Sequence, residues 1–147
     1  MANIKQLKSE YKEIVKIHSP KNKVMQNSLR AFLVGGVICT IGQGLTNLYV
    51  YWGMSKDDSS MVTTVTLILL SAIFTGFNVY DNIGQYGGAG ALIPITGFAN
   101  SMVSSAMEFK KEGYIYGMGA KLFTIAGPVI VFGAIASVVI GIIYYFV

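Results

Sequence analysis

Residues 81–113 read DNIGQYGGAGALIPITGFANSMVSSAMEFKKEG, and this stretch decides how the whole chain is interpreted. It opens with Asp81, closes with a charged cluster at residues 108–112, and has no formal charge between them. Its middle is rich in glycine, serine and asparagine and contains Pro94, so it does not resemble an ordinary lipid-facing helix. Irregular backbone survives at membrane depth only where protein shields it or where it lines a cavity. The stretch therefore predicts a broken segment between membrane spans that forms a permeation or binding site.

The remainder of the chain has the composition of a membrane protein. Of its 147 residues, 53% are hydrophobic and 12% are charged, and the mean hydropathy is +0.56. Nine of the eighteen charged residues lie in the first thirty positions, and uncharged runs elsewhere reach the roughly 20 residues that a membrane-crossing helix needs. The net charge of +4 comes mostly from this N-terminal tail. It predicts a tail on the cytoplasmic side facing lipid, and no nucleic-acid binding.

We predict an all-α polytopic membrane protein in two parts. Residues 1–19 form an amphipathic cytoplasmic or interfacial helix, and residues 20–147 form the membrane domain. Within that domain the uncharged runs give spans at about 28–52 and 61–80, the broken segment at 83–109, and a last apolar run at 114–147. The chain thus has three to four transmembrane helices, and its N-terminus lies on the cytoplasmic side.

The tail helix has an apolar stripe. Ile4, Leu7 and Tyr11 recur at spacings of three and four, while lysines occupy the other faces. Such a helix can lie on an anionic membrane surface, or it can be solvated and pack on a partner, and the sequence leaves both open. His18 is the one histidine and has no cysteine or histidine near it in sequence, so neither a metal site nor a catalytic centre is expected.

The first span carries two amides, Gln43 and Asn47, at helical spacing. An amide in lipid is costly unless it is paired, so both should face protein or water. They either line a pore or bond to a neighbouring helix, and we favour the second interpretation. Gly36, Thr40 and Gly44 form a small-xxx-small row beside them, which allows another helix to approach closely.

The path of the broken segment follows from its charges and its helix breakers. Two crossings from a cytoplasmic N-terminus return Asp81 to the cytoplasmic side. Residues 87–90 allow the chain to dip inward, and Pro94 lies in the first turns of a new helix that reaches about residue 109. If this helix crosses fully, Lys110 and Lys111 lie outside; if the segment re-enters, they stay with the basic tail. We favour a re-entrant or partly crossing segment.

The chemistry of this segment suits an anion. A helix that starts at depth presents unpaired N–H groups and the positive end of its dipole, which attract carboxylates and phosphates. Asp81, Asn82 and Gln85 supply oxygens at the mouth of the segment. The glycines allow a ligand to approach the backbone, although tight helix packing explains them equally well.

Three stretches of the chain resemble the SpoVAC group of the SpoVA family of endospore-forming bacteria. They are AFLVGGVICTIGQGL at 31–45, residues 66–113, and FTIAGPVIVFG at 123–133, and the block GAG-x-x-x-P-x-TGFANSM at 88–102 is the most specific part. The resemblance implies a subunit of the SpoVA complex, which carries dipicolinic acid, as its calcium chelate, into the forespore and releases it in germination. It further implies a mechanosensitive channel in the inner spore membrane that associates with SpoVAEb and SpoVAD as a hetero- or homo-oligomer.

The resemblance also implies a permeation path. Dipicolinate is a flat dianion, and a pore for it suits helix N-termini, small residues and neutral amides better than a ring of fixed charge. On this basis we place a set of residues at or near the path, with Glu108 at its rim: Asp81, Asn82, Gln85, Gly87, Gly88, Gly90, Pro94, Asn100 and Ser101.

Two other functions remain open for this chain. One is a secondary transporter subunit with alternating access, which the broken helices favour. The other is a non-conducting membrane scaffold that recruits partners through its basic tail. An enzyme is not expected because the sequence offers no Ser-His-Asp set or metal-spaced cluster, and no cofactor is expected either.

Overall fold

The structure, a computed structural model, describes residues 2–18 and 23–146, and over these residues it is all helical apart from short turns. Its helices are α1 (Ala2–His18), α2 (Val24–Tyr51), α3 (Lys56–Gly76), α4 (Tyr80–Gly87), α5 (Ala89–Leu92), α6 (Ile95–Phe109) and α7 (Ala120–Phe146). A 3₁₀ turn (Lys110–Glu112) and a π-helical turn (Tyr114–Gly119) connect α6 to α7. The junction between the tail helix and the membrane domain, at residues 19–22, lies outside the described residues.

Three of these helices are long and apolar enough to cross a membrane: α2, α3, and α7 together with its preceding turn from Tyr114. Their large apolar side chains point outward, whereas the side chains buried among the helices are mostly small or polar. A structure that spans a bilayer presents apolar side chains to the lipid and forms its backbone hydrogen bonds within itself. The predicted all-α membrane fold is therefore confirmed, and three helices, the lower of the three to four predicted, are long and apolar enough to span.

Helices α2 and α3 form a hairpin joined by a short polar turn. Ser55 caps α3 because its Oγ accepts a hydrogen bond from the backbone N–H of Asp58 at 3.2 Å. Across the hairpin the hydroxyl oxygens of Thr46 and Thr63 lie 2.9 Å apart. Helix α3 ends at Gly76, before the predicted end at residue 80, because the chain turns at Asn78 with φ of +61°. Tyr80 consequently belongs to α4.

The central segment is broken twice, at the helix breakers that the sequence shows. Gly88 has φ of +50° and ψ of −126°, a conformation that ends α4 and that residues with a side chain rarely adopt. Helix α5 is a single turn. Pro94 then has an extended backbone, with ψ of 166°, and stands immediately before α6.

The segment enters and leaves at the same end of the helix bundle. Ser71 donates a hydrogen bond to the carbonyl oxygen of Thr96 at 2.6 Å, and one turn further along both helices Thr75 Oγ1 lies 2.8 Å from Asn100 Oδ1. Because both pairs advance by one turn in the same direction, α3 and α6 run parallel. Helix α6 thus returns to the end of the bundle where α3 finishes and α4 begins. This arrangement agrees with the re-entrant or partly crossing path that the sequence favours.

Helix α7 begins beside the end of α6. The ammonium group of Lys121 lies 4.7 Å from the centre of the Phe109 ring. Pro128 falls inside α7, and the residues from Val129 onward are exposed. The apolar residues of α1, including Leu7 and Tyr11, are exposed as well, so none of the described residues buries this stripe.

Candidate functional site

A buried hydrogen-bonded cluster anchors the re-entrant segment to α3. Its members are Ser71, Thr75, Tyr80, Thr96 and Asn100, all of them at least nine-tenths buried. Tyr80 is central, because its hydroxyl donates to the carbonyl oxygen of Ala91 at 2.8 Å and lies 2.7 Å from Thr96 Oγ1. The cluster satisfies the Ala91 carbonyl, next to the break that precedes α6, where no water is available to do so. It therefore fixes how deep the segment reaches.

Two of the predicted glycines lie at a close contact between the segment and α2. A Cβ atom placed on Gly87 would lie 2.7 Å from a methyl group of Val34. One placed on Gly90 would overlap the backbone carbonyl of Ala31 and lie 2.8 Å from its Cα. Glycine is required at Gly90 because the two backbones come into contact there, and at Gly87 because the Val34 side chain occupies the space of a Cβ. Gly88 is different, since a Cβ there would have open space around it.

The exposed side of α4 brings together three of the predicted site residues. Asp81, Asn82 and Gln85 are all exposed, and Gln85 follows Asp81 by one helical turn. Asp81 lies in the first turn of α4, where the helix dipole stabilises its negative charge. One carboxylate and two amides therefore face out of the bundle near its end.

The remaining predicted residues of the segment are spread along α6. Asn100 is buried against α3, and the hydroxyl of Ser101 donates to the carbonyl oxygen of Gly97 at 3.0 Å. Pro94 is half-buried at the start of this helix. Glu108 is exposed near its C-terminus, more than three turns beyond Pro94, so the structure does not bring it together with the glycines.

The two amides of the first span face away from the segment. Gln43 Nε2 donates to Asn47 Oδ1 at 2.9 Å, and both side chains are exposed on α2. This bond uses one donor of Gln43 and one acceptor of Asn47, and the remaining donors and acceptors of both amides face outward. Gly36 and Gly44 on the same helix have nothing within 4 Å of an added Cβ, so the predicted small-residue row is uncovered.

Two cavities flank the contact between the segment and α2. The first, about 340 Å³, is apolar and lies between α2, α3 and α4, with Val37, Ile41, Leu70, Phe74 and Ile83 in its lining. The second, about 490 Å³, lies where α2 begins and is lined by both polar and apolar groups, among them Arg30, Gln85 and Tyr86.

Sequence reasoning did not find Tyr80 or Arg30 as site residues. An aromatic residue near the end of a span and a basic residue at its edge both have routine explanations at the membrane interface. A signal for the buried cluster does exist. Ser71 and Thr75 are spaced by four, as are Thr96 and Asn100, and matching polar pairs in two apolar helices indicate that the helices bond to each other.

These observations define the class of protein: a polytopic membrane protein with three spans and a re-entrant helical segment. The family described as SpoVAC/SpoVAEB sporulation membrane protein matches residues 27–143, and the chain belongs to that family. A relative from Bacillus subtilis (strain 168), Stage V sporulation protein AC, is 48% identical over 146 residues, which cover 99% of this chain and 95% of the relative. No solved structure matches the chain.

Proposed function

We propose that this protein is a channel subunit that conducts dipicolinic acid, as the calcium chelate or the free dianion, across the inner spore membrane. The observation that carries the proposal is the central segment, whose helices break at Gly88 and Pro94 beside α2 and α3. The relationship to Stage V sporulation protein AC supplies the biological context. In this role the protein takes part in uptake into the forespore and in release during germination.

The polar groups of the segment suit a permeating dianion. Gln85 and Asn82 present neutral amides on the exposed side of α4, and Gly88 leaves its backbone open. Neutral donors of this kind can replace water around a carboxylate without holding it as tightly as a ring of arginines would. Asp81 is an acidic group on the same helix, and as an exposed carboxylate it suits the calcium of the chelate.

Gating by tension has a structural rationale in the way the segment is held. It is fixed to α3 by the buried cluster and to α2 by glycine contacts, and the apolar cavity of about 340 Å³ lies between these two attachments. Membrane tension favours states that occupy more area. Separation of α2 from α3 would enlarge the cavity and free the segment to move, so the expanded state gains area at a place where packing is already incomplete.

Conduction requires an assembly, because three spans are too few to enclose a pore. The exposed Gln43–Asn47 pair and the uncovered glycines of α2 are suited to contact another subunit, either a second copy or another SpoVA protein such as SpoVAEb, with SpoVAD as a further partner. In this proposal the N-terminus lies on the core side of the membrane, which the positive charge of the tail favours.

The test is dipicolinate release from liposomes that contain the purified protein, measured by terbium fluorescence after a sudden drop in external osmolarity. A channel predicts fast release that grows with the size of the drop and does not saturate with dipicolinate concentration. Saturable release coupled to a counter-ion gradient would instead make the protein a transporter subunit. No release, with or without SpoVAEb in the same liposomes, would leave it as a scaffold.

A further inference from the structure

A groove of about 490 Å³ lies at the end of the bundle where α2 begins, between α2 and the break that separates α4 from α5. The side chains of Asn27, Ser28 and Arg30 line it from α2, and those of Gln85 and Tyr86 line it from α4. None of the residues that line it is acidic. The one formal charge in the groove is therefore the positive charge of Arg30.

Arg30 is held in place but is not neutralised. Its guanidinium carbon lies 4.9 Å from the centre of the Tyr86 ring, a distance at which a cation is attracted to the ring face. No carboxylate within residues 2–18 and 23–146 forms an ion pair with it. A guanidinium stacked on a ring keeps its N–H donors at the edge of its plane, where they can bind a carboxylate or a phosphate through two parallel hydrogen bonds.

The other groups of the groove are neutral donors. The amides of Asn27 and Gln85 and the hydroxyl of Ser28 can each add a hydrogen bond to an oxyanion. Gly88 forms part of the wall, and a Cβ there would meet nothing within 4 Å, so a ligand has room against the backbone. The groove thus offers one unpaired cation and several neutral donors, and none of its lining residues is acidic. These groups can bind a single oxyanion.

We propose that this groove binds an oxyanion: the carboxylate of a soluble aromatic dicarboxylate or the phosphate of an acidic phospholipid. Arg30 stands immediately before the uncharged run of residues 31–52, at the level where a spanning helix meets head groups and water. Both sources can reach that level, and both present the same chemistry to the guanidinium. The choice of an aromatic dicarboxylate rests on the proposed function, whereas the phospholipid alternative does not. Binding of either anion needs no conduction, so the site can be tested separately from the channel.

The experiment measures binding to the full-length protein purified in an uncharged detergent. Dipicolinate is titrated by equilibrium dialysis, and phosphatidylglycerol is titrated by native mass spectrometry. We expect at least one of them to bind, and Arg30→Gln to weaken that binding about tenfold or more, because a charge-assisted bidentate contact is lost. Lys56→Gln removes an equal charge at the other end of the bundle and should change the affinity less than about twofold.

Two further variants separate loss of the contact from loss of the fold. Arg30→Lys keeps the charge but loses the planar fork, and it should bind more weakly than the native protein and more tightly than Arg30→Gln. Tyr86→Phe keeps the ring and should bind normally, whereas Tyr86→Leu should lose severalfold in affinity.

The two titrations distinguish the two sources of the oxyanion. Arg30-dependent binding of dipicolinate alone makes the groove a solute site, and Arg30-dependent binding of phosphatidylglycerol alone makes it a lipid site. The proposal is overturned if neither anion binds, or if Arg30→Gln and Arg30→Lys both bind as the native protein does. Liposomes that release no dipicolinate would count against the channel function and not against this site.

Discussion

Tyr80 is the residue on which the position of the re-entrant segment depends most. Its hydroxyl serves both the Ala91 carbonyl and Thr96 from a position that is 3% exposed. Tyr80→Phe would leave the Ala91 carbonyl unpaired inside the protein. We expect a loss of about 1–2 kcal/mol in the free energy of unfolding, measured by denaturant titration in mixed micelles.

Tyr51→Phe is the matched control for this substitution. The Tyr51 side chain is exposed at the end of α2, so removal of its hydroxyl should leave the free energy of unfolding unchanged within error. Equal effects of the two substitutions would show that the bonds of Tyr80 do not stabilise the segment.

Gly90 tests whether the segment depends on backbone contact with α2. An added methyl group at Gly90 would overlap the Ala31 carbonyl, whereas one at Gly44 would have nothing within 4 Å. Gly90→Ala should therefore lower the free energy of unfolding by about 1–3 kcal/mol, the usual range for overpacking. Gly44→Ala should be neutral or slightly stabilising, since alanine favours the helix. A Gly90→Ala protein as stable as the Gly44→Ala protein would mean that the contact is looser than the structure shows.

At the scale of elements, the re-entrant path predicts which turns share a side of the membrane. Single cysteines can be introduced at Asn82, Glu112 and Asp57 after Cys39, the one native cysteine, is replaced by serine. A membrane-impermeant thiol reagent applied from one side of oriented vesicles should label positions 82 and 112 together. Position 57, in the first turn of α3, should be labelled only from the opposite side. Labelling of 82 and 112 from opposite sides would show that the segment crosses fully.

The sequence was sufficient to predict the main features of the fold. Uncharged runs of membrane-spanning length predicted the three long helices, because burying a charge in lipid is costly wherever the chain places it. The helix breakers predicted where the central segment is interrupted, since Gly88 and Pro94 act through local backbone geometry. Lys110 and Lys111 follow α6, and the positive-inside rule places them on the side of the basic tail. This agrees with an α6 that ends at the end of the bundle where α4 begins.

Features that depend on contacts between distant residues could not be predicted in the same way. The bond between Thr75 and Asn100 joins positions 25 residues apart, and although both helices carry polar pairs, the sequence does not say which pairs meet. The sequence left the glycines of the segment with two explanations, ligand approach or helix packing. Packing against α2 accounts for Gly87 and Gly90 and leaves Gly88 open, a distinction that only the position of α2 decides.

At the scale of the whole molecule, the exposed amides of α2 predict association in the membrane. Gln43→Leu combined with Asn47→Leu removes the polar groups to which a neighbouring subunit would form hydrogen bonds. Each interhelical hydrogen bond that is lost should weaken the association by about 0.6–2 kcal/mol. Energy transfer between labelled copies in liposomes, with and without SpoVAEb, should show association weakened severalfold in one of the two cases. Leu48→Ile, an exposed apolar change on the same helix, should leave it unchanged. Unaltered association of the double variant in both cases would mean that this face contacts lipid only.

The central claim is that the re-entrant segment forms part of a tension-gated path for dipicolinate, and patch recording of the reconstituted protein tests it most directly. With dipicolinate as the principal anion, stepped suction should open channels in patches that contain the protein, alone or with SpoVAEb. Gln85→Glu adds a negative charge on the exposed side of α4 and should reduce the dipicolinate current severalfold, whereas Ser60→Glu at the other end of α3 should change it little. Patches that stay silent up to rupture in both preparations, or dipicolinate currents that Gln85→Glu and Ser60→Glu alter equally, would contradict the claim.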